Sequence, residues 1–251
     1  MDVLFAYFCS IIFIVAISIL TYIFYAFDTL FKKSKIIIIS LDGNIGAGKS
    51  TLLKKLNKYI KSFPKYSKEI SIISEPVHIW EQTGILKEFY NDKKKYAGGF
   101  QYFVLNTLIN ELKLEMNKYK ESKMHIIITE RSLESTRWVF AKMLYDDGFI
   151  NNVEMNCYLY LYNLIDKKYF PSATIYLNTT YDICNNRIEK RNRDGESNIS
   201  VEYLEKCNEY YKHMINNHKI PILNINGDIS NEDVNISNQL CEQIIRFIYS
   251  I

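Results

Sequence analysis

The sequence predicts one α/β domain built on a five-stranded parallel sheet with helices on both faces. Five short runs rich in apolar, mostly β-branched residues recur along the chain: Ile36–Leu41, Glu69–Ser74, Met124–Thr129, Ala173–Leu177 and Pro221–Ile225. The first of them, Ile36–Leu41, is a run of mostly β-branched apolar residues and reads as a buried strand. Helical stretches separate them, so successive strands need crossover connections and the sheet is parallel. The 251 residues are 48% apolar and 24% charged, with nine glycines, four prolines and no Ser/Gly-rich linker or repeat, which suits one large core.

The first strand runs straight into Asp42-Gly43-Asn44-Ile45-Gly46-Ala47-Gly48-Lys49-Ser50-Thr51, and a helix pattern follows to about Phe63. This is G-x-x-x-x-G-K-[ST] between a strand and a helix, the phosphate-binding P-loop context. Its glycines let several backbone N–H groups face one anion, and the new helix adds its positive N-terminal end. Lys49 is expected to reach the β- and γ-phosphates, and Ser50 to hold Mg²⁺. The loop indicates a nucleotide phosphate without saying what becomes of it. Lys54, Lys55, Lys58 and Lys61 line the helix's outer face.

The second strand ends in Glu75-Pro76-Val77-His78-Ile79-Trp80. Pro76 stops the strand and leaves Glu75 at its carboxyl end, where ligands sit in open α/β sheets. A short helix is expected over Glu81–Asp92, a break at Gly98-Gly99, and a long helix over Phe100–Tyr119. The third strand runs into Glu130-Arg131-Ser132, an acid where a P-loop enzyme needs its second Mg²⁺-organising group. Helices are expected at Ser132–Tyr145 and Asn152–Lys168. After the fourth strand, a helix at Tyr181–Arg191 leads into Arg187, Arg191 and Arg193 with Gly195 and Glu196 nearby, suited to a mobile lid over phosphates at about 187–200. Helices at Val201–Asn217 and Val234–Tyr249 flank the fifth strand. Gly227-Asp228 turns that strand, and Asp228 is placed with the donor-binding residues.

Composition narrows the partners. A net charge of +3 is too small to point to a nucleic-acid polymer. The five cysteines form no C-x-x-C and read as reduced thiols, and the four histidines lack metal-ligand spacing. Residues 1–35 stand apart from the domain at 36–251. Val3 to Phe27 carries no charged residue or histidine. As a helix it would span about 38 Å against a hydrocarbon core of about 30 Å. Tyr22 and Tyr25 lie at its end, and Lys32, Lys33 and Lys35 follow. The expectation is a single-pass membrane anchor through residues 3–27 with the domain facing the cytosol; a cleaved signal, a helix buried against the domain and a mis-assigned start are the alternatives.

Taken together, GNIGAGKST, EPVHIW, the GGFQ stretch, ERS and RIEKRNRDGES resemble the deoxyribonucleoside kinases from about Ile36 to the C-terminus. The resemblance implies a P-loop kinase fold, ATP and Mg²⁺, and a deoxyribonucleoside phosphorylated at its 5′-hydroxyl. It implies Glu75 as general base, Arg131 beside the hydroxyl and transferred phosphoryl, and Glu130 ordering Mg²⁺ with Ser50. Trp80 and Phe140 would sandwich the base with Phe100 beside them, Gln101 would pair with its edge, and Tyr90 and Glu196 would grip the sugar 3′-hydroxyl. Arg187, Arg191 and Arg193 would be lid arginines. Where purine- and cytidine-preferring relatives read the base with an arginine and an aspartate, this chain has Leu108 and Thr136, with Val104 nearby. The expected preference is for pyrimidines, thymidine and deoxycytidine first. A homodimer and end-product inhibition are implied by the resemblance alone. Three features depart from the pattern: a longer stretch between Gln101 and Glu130, Gly98-Gly99, and the N-terminal segment. Two other readings stay open, a thymidylate-type nucleoside monophosphate kinase and a non-catalytic membrane scaffold.

Overall fold

β-branched Ile36 to Ile39 make β1 (Lys35–Asp42) a stiff extended segment, and its last six residues are buried. The computed structural model describes residues 14–23, 35–193, 196, 199–229 and 234–251. β2 (Ile70–Ile73), β3 (Met124–Glu130), β4 (Ala173–Asn178) and β5 (Ile222–Asn226) complete a five-stranded sheet in the order β2-β3-β1-β4-β5. All four pairings are parallel. Each strand therefore falls within a residue or two of its expected place.

The strand order reverses at β1. The chain leaves β1 for one edge of the sheet, then returns through β3 and crosses to the other. With right-handed crossovers, that reversal places α2 (Lys49–Lys61) on one face and the connections after β2 on the opposite one. The last helix, α11 (Val234–Ile248), packs back against α2, as does the short α3 (Pro64–Glu69) that follows it. On the other face lie α6 (Lys93–Lys118), α7 and α10 (Val201–Asn217), with α6 and α10 both packed on α7. α7 opens at Leu133–Ser135, passes through a π-helical Thr136–Ala141 and ends at Lys142–Asp146. The carboxyl ends of β1, β2 and β3 thus face one crevice at the switch point.

Two expected helices differ. The helix expected over Glu81–Asp92 is two, α4 (Val77–Gln82) and α5 (Ile85–Asn91), separated at Gly84, whose φ of 75° is left-handed. Conversely, Gly98-Gly99 does not break a helix. α6 starts at Lys93, where the Asp92 carboxylate accepts the Lys95 N–H at 3.1 Å. Gly98 lies inside it because a Cβ there would come within 2.9 Å of the Glu154 carboxylate on α8 (Asn152–Asn163). The glycine serves a close approach, not a break.

The membrane anchor is corrected. Of residues 3–27, the structure describes only α1, a helix at 14–23. Among the described residues no helix is long and apolar enough to cross a membrane. The single-pass, membrane-anchored localisation expected from the sequence is overturned on that finding. The rest of the 3–27 stretch lies outside the described residues.

Candidate active site

The crevice at the switch point is a cleft of about 840 Å³ whose walls carry residues from the P-loop, the turn after β2, α4, α5, α6, β3, α7, β4, α9 (Tyr181–Arg191) and α10. The P-loop forms its floor. Gly46 (φ 76°) and Gly48 (φ 101°) hold conformations that other residues rarely adopt, and a Cβ on Gly46 would collide with the Cys184 carbonyl of α9. The loop and α9 are therefore in backbone contact. Ile45 to Thr51 line the cleft. Gly43 and Asn44 lie behind them: the Lys49 ammonium donates to both of their carbonyls at 2.9 Å. Asn44 is buried, and its amide ties the loop to α10 through the Leu204 carbonyl and Asn208.

At the ends of β2 and β3 the acids converge. The Ser50 hydroxyl donates to Glu130 at 2.6 Å, and the Glu75 N–H lies 3.4 Å from the other Glu130 oxygen. A hydroxyl and a carboxylate in contact beside a phosphate loop form a hard, oxygen-only donor set. That set fits Mg²⁺, which keeps several waters and takes one or two protein ligands. Glu75 and Arg131 form an ion pair at 3.0 Å, with both side chains largely buried. Arg131 has a left-handed φ of 69°, an arrangement costing about 1–2 kcal/mol in a residue with a Cβ. Its N–H donates to the Leu41 carbonyl at 3.0 Å, so strand pairing holds the unusual turn. Burial, the largest single cause, opposes the guanidinium charge, but the charge and hydrogen bond of Glu75 together with Tyr211 and Tyr158 outweigh it, and the arginine pKa is raised.

On the far side the cleft is aromatic. Trp80 is pinned by its indole N–H, which donates to Thr107 at 3.0 Å. It meets Phe100 edge-on at 5.7 Å, and Phe100 stacks on Phe89 at 4.7 Å. Phe140 meets Tyr211 edge-on. The Arg131 guanidinium lies 3.9 Å from the Phe140 ring centre and 5.9 Å from that of Trp80. Gln101 is buried at this end, and its Oε1 has no hydrogen-bond partner. A buried amide oxygen left unmet costs about 1–3 kcal/mol, so a ligand donor fits here.

The lid arginines are already engaged. Arg187 donates to the Ala47 carbonyl at 2.8 Å and the Gly227 carbonyl at 2.9 Å. Glu196 is buried and takes Arg191 at 2.6 Å and Arg193 at 3.2 Å on separate oxygens. Arg193 also reaches Glu81 at 3.2 Å. Tyr90 lines the cleft. Burial raises its hydroxyl pKa, and the Glu196 charge adds to the shift.

The cleft thus gathers Lys49, Ser50, Glu75, Trp80, Tyr90, Phe100, Gln101, Glu130, Arg131, Phe140, Arg187, Arg191, Arg193 and Glu196. Val104, Leu108, Thr136 and Asp228 are not on its wall. Val104 is in the core. Leu108 lines a separate small cavity with Ile38, Ile73 and Leu112. Thr136 is fully buried and bonded to Arg131 and Ser132. Asp228 accepts the Thr180 N–H at 2.8 Å at the start of α9. The sequence reading missed Phe89, Tyr203, Tyr211 and Glu81. Tyr203 and Tyr211 sit eight apart on α10 with Cys207 between them, a helical stripe that the spacing already contained.

The fold and this site define a P-loop phosphotransferase. A deoxynucleoside kinase family profile matches residues 39–249. The chain is 31% identical over 220 residues to a probable deoxycytidine kinase of fowlpox virus (strain NVSL), covering 84% of this chain and 87% of that one. It is 32% identical over 260 residues to deoxycytidine kinase 2 of Gallus gallus, covering 89% and 94%. It is 27% identical over 205 residues to a mitochondrial deoxyguanosine kinase of Xenopus laevis, covering 72% and 74%. The chain belongs to the deoxynucleoside kinase family. It is an ATP-dependent enzyme that phosphorylates a deoxynucleoside, with Mg²⁺ accompanying the donor. The thymidylate-kinase and non-catalytic scaffold readings are set aside.

Proposed function

We propose that the protein transfers the γ-phosphoryl group of ATP to the 5′-hydroxyl of a pyrimidine deoxyribonucleoside, accepting both thymidine and deoxycytidine. The observation that carries this reading is the buried, unpartnered Gln101 Oε1 at the aromatic end of the cleft. An amide offers a donor and an acceptor side by side. Cytosine presents an acceptor and a donor at N3 and N4, thymine a donor and an acceptor at N3 and O4, and a flip of the amide meets either. The relatives named deoxycytidine kinases support deoxycytidine as one of the two.

In this proposal Glu75 takes the 5′-hydroxyl proton, a role worth about 10²- to 10⁴-fold in rate. Arg131, held by Glu75, presents its remaining N–H groups to the hydroxyl and the incoming phosphoryl. Lys49 leaves the Gly43 and Asn44 carbonyls for the β- and γ-phosphates, and Ile45–Thr51 cradle them. Ser50 and Glu130 hold Mg²⁺, which when bound neutralises charge on the phosphates. Trp80 and Phe140 hold the base by its faces, with Phe100 buttressing Trp80. Tyr90 and Glu196 hold the 3′-hydroxyl. Arg187, Arg191 and Arg193 close over the donor as the lid at about 187–200. The kinase domain is taken as 36–251, with residues 1–35 a separate segment. A homodimer is part of the reading: α8 turns Val153, Tyr160 and Leu161 outward, Leu164 just past its end is exposed as well, and so is Trp138 on α7. Light scattering of Leu161→Glu beside the parent chain tests that part.

The function is tested by transfer of labelled phosphate from ATP to each of the four deoxynucleosides, using the full chain and Glu75→Gln. Labelling of thymidine and deoxycytidine that collapses in the variant supports the proposal. Faster labelling of a purine deoxynucleoside contradicts it.

A further inference from the structure

Thr136 stands where the sequence pattern suggests a base reader, yet the structure gives it different work. Its hydroxyl hydrogen is committed, because Oγ1 donates to the Ser132 carbonyl at 2.9 Å. Its oxygen can therefore only accept from other groups, and it accepts the Arg131 Nε–H at 3.1 Å. The Arg131 guanidinium is then held on three sides. Thr136 fixes Nε, Glu75 takes Nη1 at 3.0 Å, and the Phe140 ring lies 3.9 Å from its central carbon. Nη2 alone is buried without a partner. Arg131 also carries a left-handed φ of 69°, so its backbone does not set the side chain in an ordinary helical or strand direction. Thr136 opens the π-helical turn that ends at Ala141 and contains Phe140. Such bulges frequently occur at functional sites.

We propose that Thr136 is a positioning residue for the reaction: its side-chain oxygen locks the Arg131 guanidinium with Nη2 free for the substrate's reacting oxygens, and it plays no part in reading the base. This rests on the assignment of Arg131 to the phosphoryl-transfer site. Thr136→Val keeps the shape and removes the acceptor. Thr136→Ser keeps the acceptor and removes only a methyl group. A hydrogen bond to a charged group is worth enough to predict a fall in kcat of about 10- to 100-fold for Thr136→Val. KM for deoxycytidine and for ATP stays within about twofold. Thr136→Ser recovers kcat to within about threefold of the parent. In an Arg131→Lys background, which has no Nε–H, Thr136→Val changes kcat by less than about twofold.

Undiminished kcat in Thr136→Val overturns the proposal. So does a loss confined to KM for particular nucleosides, which would make Thr136 a base reader, or a Thr136→Ser variant as impaired as the valine one. Thr136→Ala replaces the valine variant if that chain does not fold. An activity-independent measurement separates this claim from the functional one. The Arg131 Nε–H resonance, identified by its loss in Arg131→Lys, exchanges slowly with solvent in the parent and in Thr136→Ser, and at least tenfold faster in Thr136→Val. Equal exchange in all three chains overturns the hydrogen bond even if the parent phosphorylated no nucleoside tested.

Discussion

The two ends of the cleft are built by different means. The phosphate end is one continuous stretch of chain. β1, the P-loop and the first turn of α2 bring Lys49 and Ser50 into place, and the loop's own carbonyls hold Lys49. The nucleoside end is assembled from the end of β2, α4, α5, α6, α7 and α10, and its main contacts, such as Trp80 with Phe100, Phe140 with Tyr211 and Glu75 with Arg131, join residues far apart in sequence. Backbone groups and glycines dominate the first, side-chain rotamers the second. The first end should be intolerant of substitution but indifferent to the nucleoside, and the second should decide the nucleoside.

The largest effect should come where the ends meet. Glu75→Gln is expected to lower kcat by about 10²- to 10⁴-fold with little change in KM, read in steady-state kinetics. Because Glu75 also pairs with Arg131, the same variant should lose part of the Arg131 positioning. Lys49→Ala should lower kcat by about 10²- to 10³-fold, by the same factor for every nucleoside accepted. Unequal factors would break the comparison by showing that the phosphate end also discriminates.

Gln101→Ala sharpens it from the other side. Loss of the amide should reduce kcat/KM by about 10- to 100-fold for the preferred pyrimidines while leaving KM for ATP unchanged. The preference between bases should narrow at the same time. Leu108→Ala should behave differently again. Leu108 lines a small cavity behind the cleft, so the substitution should lower stability by about 2–5 kcal/mol in a denaturant titration yet leave the rank order of nucleosides as it was. A changed rank order would restore Leu108 to the base site.

The smallest effect concerns acids and bases outside the cleft. Glu134 and His218 face each other at 3.4 Å, below the site. Burial, with the Asp42 charge adding to it, pushes the Glu134 carboxyl up to about 7. Burial holds the His218 imidazole below its usual value, against the pull of Asp42. The signs oppose. With Glu134 protonated in the folded state, stability falls as pH rises from about 4.5 to 7, whereas with His218 neutral, stability falls as pH drops below about 6.5. Just below about 6.5, where both act, the pair's two contributions offset each other. Glu134→Gln removes one of them, so its melting temperature should drop more steeply than the parent's as pH falls through 6.5. Parallel melting profiles would show that the two groups are not linked.

How much was legible follows the same division. The five strands and the P-loop were readable because their signals are local: β-branched runs for the strands, and glycines beside Lys49 for the loop. Glu75, Glu130 and Arg131 were readable because they stand at strand ends, where topology converges. Gly98 misled because a glycine pair suggests a break, whereas here it admits the Glu154 carboxylate from another helix. Leu108 and Thr136 misled because helix position alone does not show which wall a side chain meets. The π-helical turn from Thr136 to Ala141 alters that register, and no residue type announces it. The uncharged stretch from Val3 to Phe27 misled because length and hydropathy make a span admissible without establishing one; among the described residues no helix is long and apolar enough to cross a membrane.

The most direct test is a competition. All four deoxynucleosides at equal, low concentration share one reaction with Mg²⁺ and ATP, and the ratio of monophosphates formed reads their relative kcat/KM. Thymidylate and deoxycytidylate should dominate, each at least about tenfold over either purine product. A mixture led by deoxyguanylate or deoxyadenylate would contradict the claim that Gln101 sets this site for pyrimidines.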